Sequence, residues 1–244
     1  MNIVITMAGM GSRFRRAGYL QPKYMINVKG RSLFYWSIIS LKSFDFSRNH
    51  FIFIVQSADD AKGFIREECS KLGVIMYDIV EIDHLTDGQA TTVLFGKPYW
   101  TPESPLLIYN IDTHVKPGVI YKNTINDDGW IPCFNAPGDK WSFVKLNEEN
   151  QVIEVREKKR ISNYATIGLY WFSSARLYEH AYNLYYSLPG REEKGERYIA
   201  PIYNQLIQNN YKVTISLLAT ESVHILGTPE EVESFLKCDY DFRE

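Results

Sequence analysis

The sequence predicts one α/β domain: a mostly parallel, doubly wound sheet with helices on both faces and a smaller antiparallel extension in its second half. Three observations lead there. Strand, loop and helix patterns alternate through the first half. Its strand candidates, such as Phe51 to Val55, are continuous apolar runs, as expected of strands covered on both faces. In the second half, short strand patterns recur at intervals set by turn residues.

The elements follow in order. Ile3 to Thr6 is a β-branched run that empties into a turn holding Gly9 and Gly11. Leu33, Phe34, Trp36, Ile38, Ile39 and Leu41 recur at roughly helical spacing, predicting a helix over Ser32 to Leu41. After the strand Phe51 to Val55, Asp59 to Leu72 reads as a helix with Gly73 in the C-cap position. Val74 to Ile82 is the third strand, and the loop from Asp87 opens a helix reaching about Lys97. Leu106 to Thr113 is a buried strand whose apolar run ends in polar residues.

Trp130 to Asn135, Ser142 to Leu146, Val152 to Arg156 and Tyr164 to Phe172 form the predicted antiparallel extension. Arg176 to Leu188 and Ile199 to Gln208 are helices, with a late strand over Val213 to Leu218. Thr228 as N-cap, Pro229 at the first helical position and Glu231 three residues beyond the cap open the last helix.

At 244 residues the chain can bury a sizeable core as a single domain. A formal net charge of −2 excludes a general nucleic-acid binder, which needs a basic excess over a whole face. No apolar stretch has the length of a membrane span and no signal-peptide pattern opens the chain, so a cytoplasmic protein is expected. Cys69, Cys133 and Cys238 are odd in number and widely spaced, and read as reduced core fillers.

The chemistry concentrates near the start. Arg13, Arg15, Arg16, Lys23, Lys29, Arg31 and Lys42 precede the first acidic residue, Asp45. Alone, such a run is explained by a solvated basic face. Beside a glycine turn at a strand's carboxyl end, it has what a polyphosphate needs: backbone donors and fixed cations. A dinucleotide-binding turn fits less well, because Phe14 stands where a third glycine belongs and no acid follows at ribose distance.

Ala8-Gly9-Met10-Gly11-Ser12-Arg13 with Pro22-Lys23 resembles the signature of the sugar-phosphate nucleotidyltransferases. Gly88-Gln89-Ala90, Asp112, Glu157-Lys158, Gly195-Glu196 and Gly227-Thr228-Pro229-Glu230 match further family segments in order. The resemblance implies a Rossmann-like (GT-A-like) domain over 1–244, with a nucleotide-binding half at 1–125 and an acceptor-binding half at 126–244. It implies transfer of a nucleoside monophosphate to a phosphorylated small molecule with release of pyrophosphate.

The resemblance also implies the roles. Ala8, Gly9, Gly11, Ser12, Arg13, Lys23, Gly88, Gln89 and Ala90 would bind nucleotide, and Lys158 and Glu196 the acceptor. Arg13, Lys23 and Asp112 would be catalytic, with Asp112 holding Mg²⁺. Many relatives carry a second metal-binding aspartate where this chain has Ile225. The attacking phosphate oxygen is already ionised, so no general base is needed, and none of the five histidines falls in a triad pattern.

The compact length resembles the cytidylyltransferase branch, which implies CTP, an acceptor such as phosphoglutamine or a sugar phosphate, and a place in capsule or cell-surface polysaccharide synthesis. Gln89 has both a donor and an acceptor and suits cytosine or thymine equally, so dTTP or UTP is the alternative donor. A non-catalytic nucleotide-binding module is the other alternative. The resemblance implies a homodimer, although no self-complementary patch is legible. Trp141, Tyr164, Tyr170 and Trp171 read as core.

Overall fold

A computed structural model of the chain describes residues 1–121 and 127–239. The first half runs β1 (Asn2–Thr6), α1 (Ser12–Arg16), a hairpin of β2 (Asn27–Val28) and β3 (Arg31–Ser32), α2 (Leu33–Ile39) and β4 (His50–Gln56). It continues with α3 (Lys62–Leu72), β5 (Met76–Ile82), α4 (Gln89–Leu94), β6 (Leu106–Asn110) and β7 (Thr113–Val115). The second half holds β8 (Gly129–Asn135), β9 (Ser142–Leu146), β10 (Val152–Glu157), β11 (Tyr164–Thr166) and β12 (Leu169–Phe172). Then come α5 (Ala175–Tyr186), α6 (Tyr203–Gln208), β13 (Val213–Leu218), β14 (Val223–Ile225) and α7 (Pro229–Lys237). The expected boundary between halves, at 125/126, lies outside the described residues.

Ile3, Val4 and Ile5 of β1 are all fully buried, Ile3 and Ile5 in one core and Val4 in another. Successive strand side chains point to opposite faces, so β1 must be covered on both. It pairs in parallel with β4 on one side and β6 on the other, and β4 pairs in parallel with β5. Phe34 and Ile38 of α2 and Ile65 of α3 cover one face, and Val93 of α4 and Tyr178 of α5 the other.

Beyond β6 the sheet turns antiparallel through β12, β8, β11, β9 and β10, as the short strand patterns predict, while β13 joins β8 in parallel. Three expected elements are interrupted for local reasons. The run from Leu106 to Thr113 breaks after Asn110, where the buried Tyr109 hydroxyl donates to the Thr113 carbonyl at 2.7 Å and closes a turn. Tyr164 to Phe172 splits into two strands at Gly168, whose φ is +79°. The Ile199 to Gln208 helix begins as a 3₁₀ turn at Ala200–Ile202, where Pro201 supplies no N–H. Cys69 and Cys133 are buried free thiols, as expected of core fillers. Among the described residues no helix is long and apolar enough to cross a membrane.

A third core joins the two ends of the chain. Phe14 of α1, Leu33 and Trp36 of α2, and Val232 and Phe235 of α7 are buried together. Against them lies the β7–β14 ribbon, where His114 and His224 are register partners with nearly parallel rings 5.7 Å apart. His114 is fully buried and its Nδ1 donates to the Trp36 carbonyl at 2.7 Å. Burial pushes its imidazole down to about 3 and lowers His224 as well.

Both rings are therefore neutral when folded, while an unfolded imidazole takes a proton below about pH 6.5. Stability should be lost as pH falls below about 6.5, continuing for His114 to about 3, by at most ~1.4 kcal/mol per pH unit for each ring. Denaturant midpoints across that window measure the loss. His224→Phe, which keeps a ring and removes a titrating group, should give a shallower fall.

Candidate active site

The chain order places a cleft before any side chain is considered. From β1 the sheet grows through β4 to β5, then returns to the other side of β1 with β6. Helices diverge at such a reversal and leave a crevice at the carboxyl ends of the strands. Thr6 and Asn110, the last residues of β1 and β6, are register partners there. A cleft of about 360 Å³ opens above them, walled by Met7 to Gly11 on one side and by Leu85, Thr86, Gly88 and Gln89 on the other. Gly11 is left-handed at φ +59°, and the space beside Gly9 and Gly11 is open, so a ligand can approach the backbone there.

Lys23 and Asp112 meet on the cleft wall with Nζ 2.7 Å from Oδ2. Asp112 is firmly placed. The Tyr109-to-Thr113 bond closes its turn, and Leu226 N donates to the Asp112 carbonyl at 2.8 Å. Its carboxylate also faces the loop before α7, where a Cβ on Gly227 would stand 3.3 Å from Asp112 Oδ2 and 3.5 Å from Glu231 Oε2. Glu231 does more than the capping pattern predicts. Its amide is capped by Thr228 Oγ1 at 3.2 Å, while its carboxylate accepts from Gly227 N at 3.1 Å and pairs with Lys140 at 2.7 Å.

Gln89 sits where the first cleft joins a second. Its amide nitrogen donates to Thr6 Oγ1 at 2.9 Å and to Asn110 Oδ1 at 2.6 Å, bridging the two strand ends. The sequence left Gln89 free to read a base as donor or acceptor; the structure commits the donor and leaves the carbonyl. Gly168 makes room for this bridge, because a Cβ there would lie 2.3 Å from Asn110 Nδ2.

The second cleft, about 290 Å³, shares Gln89, Asn110 and Asp112 with the first. Arg13, Lys140, Lys158, Glu157 and Tyr198 line its far side. Lys158 is non-glycine at φ +50° and donates to the Tyr198 hydroxyl, its ammonium 4.3 Å from that ring's centre. Burial raises the Glu157 carboxyl, partly opposed by the Ser142 hydroxyl that donates to it.

No protein-family model matches the chain, and no curated protein does. Among solved structures, it is similar to the nucleoside-diphosphate-sugar pyrophosphorylase of Vibrio cholerae RC9. The two share 38% identity over 97% of this chain and 100% of that one, with a TM-score of 0.90. The chain belongs to the nucleotidyltransferase family. Its fold is shared by the inositol-1-phosphate CTP transferase of T. maritima, with TM-score 0.75 and 16% identity over 99% of this chain and 98% of that one. A Bacillus anthracis protein described as a glucose-1-phosphate thymidylyltransferase, solved with sucrose, has TM-score 0.78 and 15% identity over 100% and 98% of the two chains.

Most of the residues expected to act in this nucleotidyltransferase converge. Ala8, Gly9, Gly11, Lys23, Gly88, Gln89 and Asp112 line the first cleft, and Lys158 lines the second. The remaining ones are distributed differently. Glu196, expected with the acceptor, lines the first cleft. Arg13, expected on the nucleotide's leaving phosphates, lines the second, with Nη1 3.4 Å from the Gly227 carbonyl. Ser12 lines neither cleft. Nor does Ala90: its side chain is fully buried, its N–H donates to the Arg197 carbonyl, and its carbonyl accepts from Tyr178 Oη. Trp141 and Tyr170, read from sequence as core, line the second cleft, as do Glu157 and Tyr198.

Among the described residues no three His, Cys, Asp or Glu side chains converge as a self-sufficient metal site. The donors present suit Mg²⁺ all the same, since that ion is usually held by one or two carboxylates together with substrate phosphates and water. Asp112 is such a carboxylate on the wall shared by both clefts.

Gly168→Ala should drive Asn110 off its bond to Gln89 and place alanine at a left-handed φ, costing about 1–3 kcal/mol. A thermal melt would register the loss. An unchanged melting temperature together with unchanged nucleotide affinity would contradict the close approach described.

Proposed function

We propose that the protein transfers CMP from CTP to a phosphorylated small molecule, with release of pyrophosphate. The acceptor is phosphoglutamine or a sugar phosphate, and the product is an activated precursor for capsule or cell-surface polysaccharide. In its narrowest form the reading is a CTP:phosphoglutamine cytidylyltransferase of capsule phosphoramidate synthesis, working in the cytoplasm. The observation that carries the transferase reading is the Lys23–Asp112 contact of 2.7 Å, with Asp112 on the wall shared by a glycine-lined cleft and a second one that holds Arg13 and Lys158.

A triphosphate lying along the Gly9–Gly11 turn meets open backbone there. Lys23 reaches its α-phosphate as a point charge, and Arg13, at the edge of the second cleft, turns its fork to the β and γ phosphates. Lys158 holds the acceptor's phosphate across the junction. An acceptor phosphate oxygen then bonds to the α-phosphorus as the bond to the β-phosphate bridging oxygen breaks, and pyrophosphate leaves with that electron pair. Asp112 holds Mg²⁺, which when bound offsets phosphate charge. Because nucleophile and leaving group are both anionic, catalysis rests on alignment and neutralisation rather than on a proton acceptor.

Gln89 favours a base that offers an N–H, since its own donor is committed to Thr6 and Asn110. The cytosine amino group is such a donor. So is the N3–H of uracil or thymine, which keeps dTTP and UTP as the second reading.

Pyrophosphate release is the test, with CTP, dTTP and UTP each offered phosphoglutamine and a panel of sugar phosphates. CTP with phosphoglutamine should give the highest turnover, and faster release with another pair would reassign donor or acceptor. Lys23→Met and Asp112→Asn should each lower kcat by about 10²–10³. Nucleotide binding without release across the whole panel would leave a non-catalytic module. Light scattering on the purified protein tests the expected homodimer.

A further inference from the structure

The nucleotide-side loop and the acceptor-side segment come from opposite halves of the chain, yet they form one seam. Arg197 N donates to the Asp87 carbonyl at 2.7 Å, and Ala90 N donates back to the Arg197 carbonyl at 3.0 Å. The backbones are so close that a Cβ on Gly88, at φ +140°, would lie 2.4 Å from the nitrogen and oxygen of Arg197. This close approach accounts for the glycine at position 88.

The Arg197 side chain fastens the seam. Its Nε lies 3.1 Å from Asp87 Oδ2 and 3.4 Å from Glu192 Oε1. Nη1 donates to Tyr182 Oη at 3.0 Å, and Tyr182 Oη in turn bonds Thr91 Oγ1 of α4 at 2.7 Å. The guanidinium centre lies 5.2 Å from the Tyr186 ring centre. One side chain thus grips both the start of the nucleotide loop and the first turn of the helix that follows.

The two neighbours of Arg197 serve different clefts. Glu196 lines the first and Tyr198 the second. They are linked to each other and onward, because Lys158 donates to Tyr198 Oη and Tyr198 donates to Glu196.

We infer that Arg197 is a positioning residue that couples the two clefts: nucleotide bound against the Asp87–Ala90 loop orders the 193–198 segment and, through Tyr198, sets Lys158 for the acceptor. The inference rests on the nucleotidyltransferase reading. A ligand that orders one side of a shared seam reduces the freedom the other side must lose later, which makes the two binding events cooperative. Arg is suited to the task because its planar fork meets the Asp87 and Glu192 carboxylates and the Tyr182 hydroxyl from one fixed plane.

Hydrogen–deuterium exchange of the full chain with Mg·CTP, Mg·dTTP and Mg·UTP tests this without requiring the acceptor to be known. In the wild type, whichever triphosphate binds should slow exchange over both 86–94 and 193–198. In Arg197→Leu the slowing at 86–94 should persist, while that at 193–198 falls roughly five- to tenfold. Arg197→Lys should restore part of it. Melting temperatures without nucleotide separate this from a purely structural role, which would lower the melt and leave the ratio of protection between the segments unchanged.

A triphosphate that protects 86–94 but not 193–198 in the wild type would overturn the coupling alone, as would full protection of 193–198 in Arg197→Leu. Failure of all three triphosphates to bind would overturn the nucleotidyltransferase reading and the coupling with it.

Discussion

The placement of β1 between β4 and β6 is the constraint on which the rest of the molecule depends. Parallel pairing aligns the carboxyl ends of β1 and β6, so that Thr6 and Asn110 stand side by side and one glutamine amide can bridge them. It also points the glycine turn after β1 and the Asp112 turn after β6 into the same crevice. Lys23, far from Asp112 in sequence, then needs only a short excursion to reach it. The apolar burial of β1 on both faces fixes this geometry, because a slip of one residue would exchange Ile3 and Ile5 with Val4 between the two cores.

Much of this was legible because hydrophobic runs and turn residues are local signals. The strand Phe51 to Val55, the Gly73 cap of α3 and the Thr228–Pro229 start of α7 follow from short-range chemistry, and the structure has them where the pattern places them. What was not legible depends on distant partners. Gln89 can bridge the ends of β1 and β6 only once parallel pairing has set Thr6 beside Asn110. Tyr170 is buried in a core and Trp141 packs against one, as their composition suggests, yet both also reach the wall of the second cleft.

The placements of Glu196 and Ala90 share one cause. Segment 193–198 folds over the loop before α4, and this carries Glu196 to the first cleft rather than the second. The same contact withdraws Ala90 from the cleft, since its amide is used in the seam. Gly88 is conspicuous in the sequence as a turn glycine, but its reason is the backbone of Arg197, more than a hundred positions later. Arg13 is held by a different segment: the loop before α7 offers its Gly227 carbonyl to the guanidinium.

The core shared by the first and last helices has a further consequence. Phe14, two residues past Ser12, rests in the same cluster as Trp36 and Phe235, and Lys29 donates to the Cys238 carbonyl at 2.9 Å. The helix that follows the Gly9–Gly11 turn is thus braced by α7, so that whatever loosens the packing of Phe235 also loosens the footing of that turn.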